Sequence, residues 1–368
     1  MKASAGFLAL LFLHAVLAAQ QPDAPSDNRA LADNSAALSA VFNSFIYFSG
    51  TTYQSQTPPP SQNQKPKPAK KEEHPKQLKR TRIDASMVGY IEDSAVQTQV
   101  RVRFDAGFND PRPDRAEYFY AGSTSPGSGA IQRTLNFQEL YLNGEYAPLE
   151  RFSAFVQVPF RWIQPFLVAG TVPPGTTPAP PDGGGISDVQ GGLRFAAIAS
   201  ASRNLTFQLG ADFPTGNGDN GLGTNHYSIE PKILLFQRLS DRTAIEAEAG
   251  DSHPIGGTVN YATPLSPPQN FAADVAMYGI GPSYELIKRD RYSIAPVLEL
   301  VSWHVFGGLQ TGSTNVVQSA GGINVLNAKL GARASFSNGS SIYAGFGRGL
   351  TSDIWYRNLF RIEYRRVF

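Results

Sequence analysis

The chain has 368 residues and no cysteine, which excludes disulfide scaffolds, thiolate metal sites and thiol nucleophiles. Charged residues make up only 17%, against roughly 25% in an ordinary soluble domain, while glycine (35), phenylalanine (23) and tyrosine (15) are abundant. The net charge of +2 hides a split: residues 65–82 carry eight Lys/Arg against two Glu, whereas residues 83–368 carry 22 against 25 acidic residues, so no nucleic-acid-binding body is expected.

Residues 1–19 (MKASAGFLALLFLHAVLAA) have a lysine, an apolar run and a small-residue cleavage site. They read as a secretory signal peptide, because the run is too short to cross a hydrocarbon core of about 30 Å as a helix. Residues 20–82 read as a Pro/Lys-rich linker, with one short helix within 27–48. Pro58, Pro59 and Pro60 stop regular structure. The basic tract 65–82 is a solvated tether, or a segment that grips an anionic partner such as cell-wall polymer or lipid headgroups. Residues 82–96 (RIDASMVGYIEDSAV) fit either an extra strand or a lumen plug.

From residue 97 onward the pattern has period two. Val100, Val102, Phe104, Ala106 and Phe108 alternate with Arg101, Arg103, Asp105 and Gly107, as in a strand with one apolar and one polar face. Similar segments predict strands at 97–108, 133–146, 151–164, 186–198, 204–213, 226–238, 242–250, 272–287, 291–306, 322–335, 340–349 and 355–368. Their lengths reach the roughly 9–11 residues that a tilted membrane-spanning strand needs. Short turns (147–150, 200–203, 240–241, 288–290, 337–339) alternate with longer connections (109–132, 165–185, 214–225, 251–271, 307–321) and a brief one near 350–354. An up-and-down barrel with an even strand count produces that order and brings both termini to the short-turn end. The expected fold class is therefore all-β: a transmembrane antiparallel β-barrel of about 12 strands over 83–368, with a mostly disordered N-terminal extension. The expected location is a Gram-negative outer membrane, with both termini periplasmic.

Charges then belong on the lumen face. The candidates for solute selection are Arg101, Arg103, Arg161, Asp188, Arg194, Glu230, Lys232, Glu246, Glu248, Glu299, Lys329, Arg333, Arg361, Glu363 and Arg365, with Asp105 beside them. They form either a charged constriction or a ladder of cross-strand ion pairs. Aromatic girdles are expected from Tyr146, Phe152, Tyr284, Tyr292 and Phe368 by the short turns, and from Phe108, Trp162, Phe213, Tyr227 and Tyr356 by the long loops. Pro159, Pro231, Pro282 and Pro296 fall inside predicted strands and call for bulges or for shifted strand boundaries.

The last strand puts Phe360, Ile362, Tyr364 and the terminal Phe368 on one face, an arrangement that resembles the C-terminal assembly signal of bacterial outer-membrane proteins. Residues 183–197 (GGGISDVQGGLRFAA) and 205–242, with a Phe-Pro-Thr-Gly corner, a glycine-rich loop and a Leu-Ser-Asp-Arg strand end, resemble the outer-membrane family linked to the meta-pathway of phenol degradation. The resemblance implies a porin-like channel or transporter for small solutes such as aromatic or apolar compounds. Its partners would be outer-membrane lipid, lipopolysaccharide and the barrel-assembly machinery. It implies no catalytic residue and no cofactor.

The competing readings are a structural barrel tethered to the cell wall and an outer-membrane hydrolase. For the latter, the barrel offers His226, His253 and His304, of which His304 lies two residues from Ser302 and shares its face, though the two match no known motif. Asp212, Asn217, Asp219 and Asn220 could offer oxygens to Ca²⁺, but their spacing matches no Ca²⁺ loop, and Gly, Asn and Asp are ordinary turn formers. No metal is expected.

Overall fold

A computed structural model describes residues 86–111, 134–166, 183–256, 259–260, 269–311 and 317–368. The signal peptide, the helix within 27–48 and the tether to residue 82 lie outside the described residues, as do parts of the long connections. Twelve strands make the wall: β1 (Gln99–Asp110), β2 (Thr134–Leu149), β3 (Phe152–Phe166), β4 (Val189–Ala199), β5 (Arg203–Phe213) and β6 (Tyr227–Arg238), then β7 (Thr243–Ile255), β8 (Val275–Tyr284), β9 (Tyr292–Val305), β10 (Asn324–Phe336), β11 (Ser340–Gly349) and β12 (Asn358–Val367). Each pairs antiparallel with the next, and β12 closes on β1 from Gln99↔Val367 to Phe108↔Asn358. Closure leaves no sheet edge, so every wall strand has a neighbour on both sides.

The tight turns follow from their residues. Between β10 and β11 Gly339 sits at φ +85°, a conformation free of strain only without a Cβ, and the Asn338 side chain accepts from the Ser340 amide. The β4–β5 turn is closed by Ser200, whose amide and hydroxyl both donate to the Arg203 carbonyl. At the opposite end, short hairpins (Leu309–Thr311 with Val317–Ser319, and Val259–Asn260 with Gln269–Asn270) extend the long connections.

Side chains are distributed inside out. Phe195, Phe207, Leu209, Ile233, Leu298, Leu330 and Phe360 are exposed on the outer face, whereas Arg333, Glu299 and Glu246 are fully buried within. Water around such a wall would leave a continuous apolar belt wet. Hydrocarbon suits it, because Lys or Arg on that face costs about 2–4 kcal/mol at mid-depth. Tyr146, Phe152, Tyr284, Tyr292 and Phe368 are exposed at the short-turn end, and Phe213 packs edge to face on Tyr227 at the other. Tyr356 does not join them. It is buried inside the barrel, where its hydroxyl accepts from Asn327.

The prolines also correct the expectation drawn from the sequence. Register shifts occur at Gly107/Asp110, Tyr146/Leu149 and Ala196/Ile198, none of them at these four prolines. Instead each proline stands where one neighbour supplies no rung. The β3–β4 ladder stops at Gln157, two residues before Pro159. Rungs are absent beside Pro231 on the β7 side and beside Pro282 on the β9 side. Pro296 lies just past the end of the β8–β9 ladder. A residue without N–H thus costs no ladder bond and needs no bulge.

Candidate functional site: the barrel lumen

The lumen is occupied by the chain itself. Residues 86–98, just before β1, arch up from the short-turn end, bend at Gly89–Ile91 and descend again into β1. Having no strand partner, this backbone must find hydrogen bonds from the wall. Its amides donate to wall carboxylates. Those of Met87 and Val88 reach Glu246 Oε1 (2.9 and 3.4 Å). Gly89, Tyr90 and Ile91 reach Glu299 (3.1, 2.9 and 2.9 Å). Glu92 reaches Glu248 Oε2 at 3.0 Å.

Its carbonyls accept from wall cations and a hydroxyl. Arg333 donates to Met87 and Val88 (3.2 and 2.6 Å), Arg361 to Gly89 (2.7 Å), Arg194 to Asp93 and Ala95 (2.5 and 3.4 Å), and Thr206 to Ser94 (2.5 Å). Charge-assisted bonds of this kind are about twice as strong as neutral ones. At the bend only a glycine fits: a Cβ on Gly89 would stand 2.2 Å from the Tyr343 ring.

Side chains of the arch add ion pairs. Asp93 meets Arg365 at 2.7 Å and Glu92 meets Arg101 at 3.2 Å. Burial pushes the Glu92 carboxyl up, but Arg101, with Lys232, Arg194 and Arg103 around it, outweighs this and holds it well below the usual carboxylate range.

Most of the remaining predicted lumen residues have an ion-pair partner in the wall. Arg361 grips Asp105 with two bonds (2.7 and 2.6 Å), Arg161 meets Glu139 (2.6 Å), Lys232 meets Glu230 (3.0 Å), and Glu363 bridges Arg333 and Arg365 (2.9 and 3.1 Å). Arg103 lies 3.6 Å from Asp105 and stacks on Tyr141. Asp188 does a different job: it accepts from the amides of Gly216 and Thr224 and from the Thr224 hydroxyl, and so folds the glycine-rich connection 214–226.

Sequence reasoning missed Glu139, Glu145 and Tyr343. Glu145 takes Arg194, Gln99 and Ser153 from the wall and the Gln97 amide from the arch, and Phe137, Glu139 and Tyr141 on one parity left the facing of that strand ambiguous in the sequence.

Towards the long loops the lumen changes character. Leu135, Phe137 and Ile163 from the wall pack with Leu222, Trp355 and Tyr356 from the connections, and with Val305 and Val325. Lys329 lies at the boundary, its ammonium 4.0 Å from the centre of the Tyr90 ring at the top of the arch.

Ser302 and His304, the pair considered for hydrolysis, each have another partner. Ser302 Oγ donates to the Val325 carbonyl, and His304 Nδ1 is 2.7 Å from Asn324 Oδ1. One further cluster, Asp251, His253 and Asp274, brings three ligand-type atoms within 4.8 Å of one another, and within it His253 and Asp274 have an ion-pair geometry at 2.6 Å.

No family model and no curated protein matches the chain. Solved structures similar to it are membrane barrels. The COG4313 outer membrane channel from Pseudomonas putida F1 is 16% identical with a TM-score of 0.47, over 76% of this chain and 99% of that one. The beta domain of the Bordetella autotransporter BrkA is 14% identical with a TM-score of 0.42, over 74% and 100%. The KdgM porin is 7% identical with a TM-score of 0.34, over 73% and 99%.

Proposed function

We propose that the chain is a bacterial outer-membrane barrel that passes small apolar solutes, with residues 86–98 as the element that closes the path. The short-turn end, with both termini, would face the periplasm. Phe360, Tyr364 and Phe368, exposed on the outer face, together with Ile362, would be read by the assembly machinery. The supporting observation is the two-part lumen: an outer chamber filled by packed apolar and aromatic side chains of wall and loops, above a charged region filled by one peptide segment. Such a chamber favours apolar solutes over hydrated ions. The segment is held by hydrogen bonds, ion pairs and the packing of Met87, Val88, Tyr90 and Ile91, so it can leave without breaking a covalent bond.

A disulfide lock tests this. A Cβ on Gly279 would stand 3.0 Å from Ile91 Cγ1, within disulfide reach, and the chain has no other cysteine to interfere. In Gram-negative cells carrying Ile91→Cys/Gly279→Cys, the reduced protein is expected to admit the apolar dye N-phenylnaphthylamine several-fold faster than oxidised protein. Equal uptake in both redox states, above that of cells lacking the protein, would remove the gating role.

The density of buried ion pairs around the segment favours a second reading, a permanently occluded structural barrel tethered through residues 65–82. No uptake above background in either state would support it.

A further inference from the structure

We infer that the outer chamber binds apolar molecules carrying one anionic group, a carboxylate being the simplest, and that Lys329 is the counter-ion. This deepens the reading above and rests on it: an apolar solute must first reach the chamber.

Lys329 is 4% exposed, and lysine is almost never buried unless paired. By register it faces Glu299 directly across β9–β10. That carboxylate is spent on the amides of Gly89, Tyr90 and Ile91 and on the Tyr343 hydroxyl. Asp105 is held by both oxygens on the Arg361 guanidinium. Glu248 accepts from the Glu92 amide.

Every other lumen base predicted from sequence has an acid partner: Arg101 with Glu92, Arg161 with Glu139, Arg194 with Glu145, and so on around the barrel. Lys329 has no ion pair or hydrogen bond among the described residues. Its neighbours are instead three rings, with centres 4.0 Å (Tyr90), 5.3 Å (Trp303) and 5.8 Å (Tyr356) away.

Ring faces soften the loss of water around an ammonium but do not replace a counter-ion. The arch has taken the carboxylate that the wall register would have supplied, and the cation that remains lies where the charged lumen gives way to the apolar chamber. A ligand with an apolar body and a carboxylate head matches both. Its body would lie against Trp303 and Trp355, and its head would complete the pair that Glu299 leaves open.

The test uses full-length protein in lipid nanodiscs with Trp162→Phe, which leaves Trp303 and Trp355 as the only tryptophans. Quenching by ω-bromoundecanoate is compared with quenching by ω-bromoundecanol, each referred to its mole fraction in the bilayer. The carboxylate is expected to half-quench at a concentration at least about ten-fold lower, as a desolvated charge pair allows. Lys329→Arg should keep that preference and Lys329→Met should abolish it, with folding followed by heat-dependent gel migration.

Equal quenching by both probes, or a preference that survives in Lys329→Met, overturns the inference and leaves apolar entry standing. Quenching by neither probe removes the apolar path itself. If Lys329→Met does not fold, the comparison of the two probes on the Lys329 protein still decides.

Discussion

The two ends of the lumen are built from the same alternating strands yet work by different physics. Near the short turns the inward residues are acids and bases, and the space between them is filled by a peptide whose polar backbone they saturate. Near the long loops the inward residues are Leu135, Phe137, Ile163 and Val305, and the filling comes from loop side chains such as Leu222 and Trp355. The first region is specified by directional bonds, each costly to leave unmade. The second is specified by shape, which tolerates exchange of what fills it. A segment that must stay in place belongs in the first and a variable guest in the second.

The largest expected effect comes from breaking the charged end at Glu299. This carboxylate is fully buried and serves three backbone amides and a tyrosine hydroxyl. Glu299→Ala orphans all four donors, a loss of about 3–5 kcal/mol for a broken buried charged network. The wall should survive, since its strands pair through backbone. Hydrogen exchange of the 87–91 amides should rise towards that of a free peptide while the strand amides stay protected, and ion conductance should appear in planar bilayers. Unchanged exchange at 87–91 would mean that the arch is held by packing instead.

A smaller effect follows from acid. The folded-state pKa of Glu92 is depressed, so the unfolded or released segment binds more protons as pH falls. The Glu92–Arg101 contribution is therefore fully present above the ordinary carboxylate value of about 4.3 and is lost progressively as pH falls below it. Protection of the arch should not change through Glu92 between about pH 8 and about pH 5, and should weaken only under stronger acid. In Glu92→Gln this acid-dependent part of the weakening should be missing.

The contrast between the ends also marks what could be read from the residues alone. The wall was legible because period-two alternation and the order of short and long connections are local properties. Phe360, Arg361, Ile362 and Glu363 announce opposite faces without reference to anything distant. Residues 82–96 have no such period, and a lumen plug was only one of two readings for them. The conformation of residues 87–91 within them is set by Glu246, Glu299, Arg333 and Arg361, which lie on four other strands.

The expected cross-strand ion pairing forms at some rungs. Asp105 faces Arg361 and Glu139 faces Arg161 in register, and both are paired. It fails at Glu299 and Lys329, where the arch takes the acid. Tyr356 was misplaced for a related reason. Near the long loops both faces of the wall are apolar, so an aromatic residue there gives no sign of which side it joins.

The smallest expected effect probes the loop end. Asp188 ties Gly216 and Thr224 into the folded connection that carries Leu222 into the chamber. Asp188→Asn keeps the shape but removes the charge behind those bonds, and one amide hydrogen points where an acceptor stood. A cost of about 1–3 kcal/mol, that of weakened bonds to a charged group, should fall on the loop alone. Exchange at the Gly216 and Thr224 amides should accelerate, while the 87–91 amides keep their protection. Parallel loosening of the arch would mean that the two ends are mechanically one unit, and that displacing the chamber's loops is itself a way to open the charged end.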